Sequence, residues 1–259
     1  MSEDKLTLYN WATSTCSQKV RFVLAEKALP YEDYRVDALK SEHLSDRYLK
    51  LNPNGVVPTL THGLNVIIDS SVIAEYLDEV FGDVPLSPVD AYGRARMRAW
   101  RQFIDEVPTA AIRVPSFNGY IKHLWANKSD EELESLNAKR TVRKHFYEHL
   151  GREGSSQGEE ARSVEMLRET VVRMDRALAD GPWMVGEQFT LADITLVPTL
   201  VRMSDIGLAR VWHDLPRVAD WLARVERRPA FSQAFYPGSR FETRGTHPLA
   251  THKSQETAA

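Results

Sequence analysis

Cysteine is almost missing from this sequence, because Cys16 is the only one among 259 residues. A disulfide within the chain needs two cysteines, so a disulfide-stabilised fold is excluded and a reducing compartment is indicated. No apolar run approaches the roughly 18 residues that a membrane-spanning helix needs. The first ten residues, MSEDKLTLYN, also lack the apolar segment of a secretory signal. We therefore expect a cytoplasmic protein with no membrane partner.

An excess of charge of either sign is missing as well. Lysine and arginine total 33 against 36 aspartates and glutamates, which gives a formal net charge of -3. Proteins that bind nucleic acid usually carry a clear excess of positive charge, so nucleic acid is not an expected partner. With 42% hydrophobic and 27% charged residues, the composition is that of an ordinary globular protein. The length allows one large domain or two smaller ones.

The first eighty residues alternate between strand and helix patterns. Their periodicity and turn signals predict the element order βαβαββα, which is typical of a small mixed sheet flanked by helices. The predicted strands cover residues 6–11, 31–36, 56–61 and 65–68, and the predicted helices cover residues 18–29, 42–50 and 70–81.

After residue 82 the pattern becomes helical throughout. We predict helices over residues 91–107, 130–150, 159–179 and 216–227, with a flexible break at residues 151–158. Thr190 and Asp193 form a capping-box pattern before a further apolar run. The predicted organisation is therefore an α/β domain (1–82), a linker (83–90), an all-α domain (91–240) and a flexible tail (241–259).

A run of polar residues lies where the first strand passes into the first helix. Ser14, Thr15, Cys16 and Ser17 stand at a helix N-terminus, where unsatisfied N–H groups and partial positive charge favour a bound anion such as a thiolate. The alternative is helix capping, for which a single hydroxyl is enough.

Six short motifs together resemble the cytosolic glutathione S-transferase family over residues 5–235. The first resembles the active-site segment of the serine-type classes, especially zeta and theta, and the pair at 57–58 resembles the family's cis-proline turn. In chain order the motifs are STCSQKVR (14–21), KSEH (40–43), LNP (51–53), VP (57–58), DS (69–70) and LAD (191–193). The resemblance implies a thioredoxin-like N-terminal domain, an all-α C-terminal domain, glutathione as cosubstrate and a homodimer.

The resemblance also implies roles in the first helix. Ser14 occupies the family's catalytic serine position and would donate a hydrogen bond to the glutathione thiolate. Thr15 is either a second donor or a helix cap. In classes that use a cysteine, that cysteine aligns with position 14, so Cys16 is interpreted as a packing residue.

The remaining glutathione contacts follow from the same resemblance. The backbone of Val57, before a cis Pro58, would pair with the cysteinyl part of glutathione. Ser70 would bind the γ-glutamyl carboxylate.

Three further positions have alternatives that the sequence leaves open. Asp69 would bind the γ-glutamyl end or cap the helix that follows it. Lys40 and His43 would reach the glycyl carboxylate or lie in a solvated loop.

The family's electrophile pocket lies between the two domains, and here it would be apolar with few charges, apart from Arg113. This implies a hydrophobic or aromatic substrate. The candidate lining residues are Trp11, Ala12, Val107, Ala111, Val114, Phe117, Tyr120 and Trp125.

Three functions remain open. Residues 96–106 and 129–158 resemble the β-etherase-type transferases, which displace an aryloxide from an aryl ether. The STCS segment resembles the zeta class, which catalyses isomerisation or dehalogenation. A non-enzymatic interaction module with this fold is the third. The HFYEH segment (145–149) fits a zinc-protease pattern, but no partner ligand is evident and no metal is expected.

Overall fold

The computed structural model describes residues 5–125 and 127–241. Its N-terminal part contains one four-stranded sheet in the order β2-β1-β3-β4. Strand β1 pairs in parallel with β2 and antiparallel with β3, and β3 pairs antiparallel with β4. The strands are β1 (Leu6–Asn10), β2 (Glu32–Arg35), β3 (Thr59–His62) and β4 (Asn65–Ile68).

Three α-helices complete the N-terminal part and confirm the predicted order βαβαββα. They are α1 (Thr15–Glu26), α2 (Asp46–Leu51) and α3 (Ser70–Val80), with a 3₁₀ turn at Glu42–Leu44 before α2. The helix predicted over 42–50 is therefore interrupted, because Ser45 adopts an extended backbone and caps α2 with its hydroxyl.

Strand β3 begins at Thr59 and not at residue 56. The peptide bond between Val57 and Pro58 is cis, as the family resemblance implies. The Val56 carbonyl accepts hydrogen bonds from the side chains of Tyr48 and Asn52, so it is not available to a strand partner.

The rest of the described chain is mainly helical, which confirms the predicted fold class. The helices are α4 (Ala91–Glu106), α5 (Pro108–Ala111), α6 (Arg113–Ser116), α7 (Lys122–Trp125), α8 (Asp130–Ala138), α9 (Lys144–Leu150), α10 (Gln157–Ala177), α11 (Leu191–Asp205), α12 (Pro216–Glu226) and α13 (Pro229–Ala234). A π-helical turn, Phe117–Ile121, joins α6 to α7, and a 3₁₀ turn, Ala209–Trp212, precedes α12. No helix within the described residues is both long enough and apolar enough to cross a membrane.

The prediction of one helix over 130–150 is wrong, because two helices occupy this segment. Helix α8 ends at Ala138, and α9 begins only after Arg143, whose φ of 63° is left-handed and cannot continue a helix. The predicted break at 151–158 is also shorter than expected. Ser156 caps α10 with its hydroxyl, so Gly158 already lies inside that helix.

Helix α11 is the centre of the helical part and packs against both α1 and α4. Nearly all its side chains are buried. Its predicted capping box is confirmed: the Asp193 carboxylate accepts a hydrogen bond from the Thr190 N–H and another from the Trp221 indole, the latter at 2.8 Å. This contact fixes α12 against α11.

Hydrogen bonds from charged side chains join the two parts around α1. Lys19 donates to Asp105 of α4 at 2.9 Å, and Arg228 forms a bidentate pair with Glu26 at 2.6 and 2.8 Å. Arg202 of α11 donates to the carbonyl oxygen of Thr13. The N-terminus of α1 is therefore held in place by residues from the helical part.

Candidate active site

The N-terminus of α1 carries donors that no protein group uses. Ser14 is the N-cap, and its Oγ accepts a hydrogen bond from the Ser17 N–H at 3.3 Å. Its hydroxyl proton therefore remains available to a ligand. In the part of the chain that the structure describes, the N–H groups of Thr15 and Cys16 have no acceptor. Together with the helix dipole, these donors form a site for a negatively charged atom.

A cavity of about 170 Å³ opens beside this helix end, between the α/β part and the helical part. Its α/β walls come from the N-terminus of α1 with the loop before it and from residues 38–43 and 55–57. Its helical walls come from α5, α6, the π-helical turn, α7, α9 and α11, from the loops on either side of α8 and from Phe241. Its lining residues are Trp11, Thr13, Ser14, Thr15, Cys16, Ala38, Leu39, Ser41, His43, Gly55, Val56, Val57, Thr109, Ile112, Arg113, Ser116, Ile121, Leu124, Trp125, Lys128, Arg140, Arg143, Tyr147, Arg202 and Phe241.

Several residues named from the sequence meet in this cavity. They are Trp11, Ser14, Thr15, His43, Val57 and Trp125. Val57 offers its backbone: among the described residues, neither its N–H nor its C=O has a hydrogen-bond partner. An extended peptide such as the cysteinyl part of glutathione needs this pair of groups.

Other residues named from the sequence do not line the cavity. Ala12, Val107 and Val114 lie outside its walls, and Pro58 is buried behind Val57. Ala111 and Phe117 are packed in the hydrophobic core. Helical spacing identifies such residues as an apolar face, but it does not tell whether they line a cavity or pack in the core. The sequence prediction therefore included residues of both kinds.

The tail and Lys40 also differ from expectation. Phe241, the first residue of the predicted flexible tail, lines the cavity and stacks on Tyr120 with ring centroids 4.1 Å apart. The rest of that tail lies outside the described residues. Lys40 does not line the cavity, and its Nζ lies 3.1 Å from an Asp37 carboxylate oxygen.

Asp69 and Ser70 begin α3 behind the cavity. Asp69 has a φ of 71° and caps the helix, since its carboxylate accepts from the N–H groups of Ser71 and Val72. The Ser70 hydroxyl is close enough to Cys16 to lower the pKa of its thiol. The capping alternative for Asp69 is therefore realised in this structure.

The Cys16 thiol experiences opposing effects. Burial raises its pKa, but the charges of Arg143, Lys19 and Arg113 and the hydrogen bond from Ser70 together lower it below the ordinary value. The side chain is half-buried and borders the cavity. An anionic sulfur at this end of α1 is thus stabilised by its surroundings, whether it belongs to the protein or to a ligand.

His43 lines the cavity near Arg140. Burial, followed by the charge of Arg140, lowers the pKa of His43 to about 4. Its Nδ1 is buried without a hydrogen-bond partner among the described residues. His43 is therefore neutral at neutral pH, and it can offer a polar hydrogen bond but not a fixed positive charge.

Sequence reasoning missed most of the charged lining residues. Arg140 and Arg143 lie in the interruption between α8 and α9, a segment expected to be continuous helix. This interruption approaches the α/β part, where the Thr141 hydroxyl donates to the Pro53 carbonyl oxygen at 2.9 Å. The basic run RTVRK (140–144) was the visible signal, but its proximity to the N-terminal domain needs the tertiary structure.

Thr13 is a second missed residue. Its Oγ1 is buried at the cavity without a hydrogen-bond partner among the described residues, and its carbonyl oxygen accepts from Arg202. Burial lowers the pKa of Arg202 to about 10, and its guanidinium lies 3.6 Å from the centre of the Phe241 ring. Arg202 positions the loop before α1.

The zinc-protease pattern at 145–149 does not form a metal site in this structure. His145 is exposed, and His149 lies 2.5 Å from a Glu159 carboxylate oxygen. Within residues 5–125 and 127–241, no three side chains of His, Cys, Asp or Glu are grouped to hold a metal ion.

Comparison with known proteins supports the architecture. Residues 13–80 match the family model for the glutathione S-transferase N-terminal domain, and residues 157–224 match the model for its C-terminal domain. Protein LigF of Sphingobium sp. strain SYK-6 is 32% identical over 246 residues, which span 91% of this chain and 95% of LigF.

Two further similarities refine the comparison. The crystal structure of β-etherase LigF matches with a TM-score of 0.82 at 30% identity and covers 89% of this chain and 98% of LigF. Glutathione S-transferase Z1 of Arabidopsis thaliana is 44% identical over 93 residues, which cover 36% of this chain and 42% of that protein. This chain therefore belongs to the glutathione S-transferase family, in the subgroup of the β-etherase LigF.

Proposed function

We propose that this protein is a glutathione transferase whose bound glutathione thiolate displaces an aryloxide from an aromatic ether. The observation that carries the proposal is the N-terminus of α1, where Ser14 and two free N–H groups border a cavity between the α/β and helical parts. A glutathione thiol has an ordinary pKa near ~8.5, so donors at this position increase the thiolate fraction at neutral pH.

The cavity supports an orientation for glutathione. Its cysteinyl backbone pairs with the free N–H and C=O of Val57, so that its sulfur points at Ser14. Its glycyl carboxylate then lies toward His43 and Arg140, and its γ-glutamyl end lies toward Ser70. Thr13 and Thr15 offer further hydroxyls near the sulfur.

The reaction is a nucleophilic substitution without a change of redox state. The thiolate sulfur forms a bond to the carbon that carries the ether oxygen, and the bond between that carbon and the oxygen breaks. The electron pair leaves with the aryloxide, which takes a proton from water. The products are a glutathione thioether and a phenol. Similarity to β-etherase LigF over nearly the whole chain favours this substrate class.

A glutathione-dependent isomerase or dehalogenase is the second candidate. It is favoured by the similarity to the zeta-named plant transferase over 93 residues. An interaction module without activity is disfavoured, because the free donors of Ser14 and Val57 would then have no ligand.

The test is a glutathione-dependent reaction with an α-aryloxy ketone whose leaving group is 4-nitrophenolate. We expect release of the coloured phenolate together with one glutathione thioether, identified by mass spectrometry. Calorimetry with glutathione alone is the accompanying measurement. Failure to bind glutathione at millimolar concentration would contradict the proposal, while binding with turnover only of maleyl-type or halogenated acids would favour the second candidate.

We also propose that the protein is a cytoplasmic homodimer. The dimer is supported by exposed apolar side chains on neighbouring elements, namely Val66 of β4, Val72 of α3 and Tyr92 of α4. Helices α3 and α4 are joined there by the Arg98–Glu75 ion pair. Sedimentation equilibrium should give twice the 29.5 kDa chain mass, and a monomer at micromolar concentration would contradict this.

A further inference from the structure

Positive charge accumulates in the cavity without a negative counterpart. Five of its lining residues are cationic, and none of the lining residues that the structure describes is Asp or Glu. The cationic lining residues are Arg113, Lys128, Arg140, Arg143 and Arg202. The sequence predicts a pocket that is apolar apart from Arg113. The other four positive charges are therefore the main difference between the expected and the observed cavity.

None of these five residues forms an ion pair within the described residues. Arg202 donates instead to the Thr13 carbonyl oxygen and the Ser116 hydroxyl, which leaves three arginines to consider: Arg113, Arg140 and Arg143. Elsewhere in the described chain, several arginines do pair with a carboxylate. Arg168, for instance, forms two hydrogen bonds of 2.7 Å with the Asp214 carboxylate. Guanidinium groups held together out of bulk water favour an anionic partner, and this cavity supplies none from the protein.

Aromatic rings hold two of the three arginines in place. The Arg140 guanidinium lies 4.0 Å from the centre of the Tyr147 ring, and its Nε donates to the Asn137 amide oxygen at 3.2 Å. The Arg113 guanidinium lies 5.4 Å from the centre of the Phe146 ring. These stacking contacts leave the edges of the guanidinium groups available to an anion.

The arginines also crowd one another. Burial, followed by the charge of Arg143, lowers the pKa of Arg113 to about 10, and Tyr147 and Cys16 oppose this shift. Arg113 remains charged at neutral pH. Arg143 adopts a left-handed backbone with a φ of 63°, which is an unfavourable conformation for a residue other than glycine. An unfavourable arrangement of this kind is typical of a ligand site.

Glutathione accounts for only one of the three. Arg140 is close enough to His43 to lower its pKa, which places it at the glycyl end of the proposed glutathione orientation. Arg113 and Arg143 line the same cavity as Cys16 and are close enough to its thiol to lower its pKa, so they face the site of the reacting sulfur from the helical part. These two arginines are therefore left for the second substrate.

The walls beside this pair are apolar and include aromatic rings. Trp11, Ile112, Leu124 and Trp125 line the same cavity. A flat hydrophobic ring fits against such walls, while an acidic substituent on that ring can reach the two guanidinium groups.

We infer that Arg113 and Arg143 form an anion-binding subsite for the electrophile, which is therefore an aromatic compound that carries a carboxylate. The inference rests on the proposed glutathione transfer and names its substrate class. It changes the expected substrate from a neutral hydrophobic molecule to an aryl acid.

The test uses two electrophiles that differ in charge, 4-chloro-3-nitrobenzoate and its methyl ester. In both, the glutathione sulfur bonds to the ring carbon, the carbon–chlorine bond breaks and its electron pair leaves with chloride. Each kcat/KM is divided by the rate constant of the uncatalysed reaction with glutathione thiolate, which removes the difference in intrinsic reactivity.

We expect the normalised ratio of acid to ester to be roughly 10- to 100-fold in the wild-type protein, as hydrogen bonds to a charged group provide. The ratio should fall toward one in the double variant R113Q/R143Q and recover in part in R143K. The double variant R210Q/R227Q is the matched control, because it removes the same two charges at exposed positions that do not line the cavity. Circular dichroism checks that each variant folds.

Three results would overturn the inference. A ratio near one in the wild-type protein, with good turnover of the ester, would refute the subsite but leave the transferase function intact. Equal losses for both probes, with a raised thiol pKa of bound glutathione, would assign the arginines to the thiolate. Absence of glutathione binding by calorimetry would overturn the proposed function and, with it, this inference.

Discussion

The cavity has two walls that are built in different ways, one from the α/β part and one from the helical part, and we call them its neutral end and its charged end. The end formed by Ser14 and Val57 presents neutral donors and acceptors that belong to the backbone or to one hydroxyl. The end formed by Arg113, Arg140 and Arg143 presents full positive charges on long side chains. The neutral end suits a cosubstrate whose position is fixed by its peptide backbone, and the charged end suits a substrate that is recognised by its acidity.

The two ends also come from different segments of the sequence. The neutral end comes from the α/β part, whose strands and helix caps fix the backbone. The charged end comes mainly from the interruption between α8 and α9 and from α6. We infer that the first end serves the chemistry common to the family and that the second end selects the substrate of this chain.

His43 belongs to the α/β part but lies near Arg140 of the charged end. Its replacement gives the largest expected effect, which is on the pH dependence of stability. Its pKa falls from 6.5 to about 4 because it is buried near Arg140. Since the folded pKa is depressed, the stability from neutral His43 is present above about pH 6.5 and is lost as pH falls toward 4. Roughly 2.5 pH units correspond to about 3 kcal/mol at most.

We therefore expect the wild-type protein to lose up to about 3 kcal/mol more than His43→Gln between about pH 7 and pH 4. Urea unfolding at each pH measures the difference. Arg140→Gln should retain most of the loss, because burial is the larger cause of the low pKa. If the free energies of unfolding of wild type and His43→Gln fall in parallel as the pH falls, the folded protein does not lower the pKa of His43.

Ser14→Ala tests the neutral end. Loss of a hydroxyl that donates to a charged sulfur should reduce kcat/KM by roughly 10- to 100-fold and raise the thiol pKa of bound glutathione. Thr15→Val is the matched control and should have a smaller effect if Ser14 is the donor. If Ser14→Ala leaves both values unchanged, the donor role passes to Thr13, Thr15 or a backbone N–H.

Lys128→Gln gives the smallest expected effect. Lys128 is a half-exposed lining residue, and exposed charges contribute roughly 0.2–1 kcal/mol. Turnover of an aryl acid should therefore fall by less than about fivefold. A loss as large as that in the Arg113 and Arg143 double variant would mean that the anion is bound diffusely by the whole cavity and not by one pair.

The sequence predicts the neutral end well because its features are local. A polar run before an amphipathic helix predicts an N-cap such as Ser14, and the capping box at Thr190 and Asp193 is equally local; both are observed. The cis bond before Pro58 needed the family resemblance, because composition alone does not indicate it.

The charged end could not be predicted, because it depends on contacts between distant segments. The charge of Arg143 acts on the Cys16 thiol because the helix predicted over 130–150 is interrupted at Arg143, whose backbone is left-handed. The position of Thr13 likewise depends on Arg202, which is 189 positions away and donates to the Thr13 carbonyl oxygen. Periodicity describes one element at a time, so it identified Phe117 and Ala111 as apolar but could not tell core from cavity.

The most direct test of this account is a pH titration of the ultraviolet thiolate absorbance of glutathione bound to the wild-type protein. We expect a thiol pKa clearly below the ordinary value of about 8.5, because Ser14, two free N–H groups and the nearby arginines all favour the thiolate. A bound thiol that titrates like free glutathione would contradict the central claim that this cavity is built to hold a thiolate.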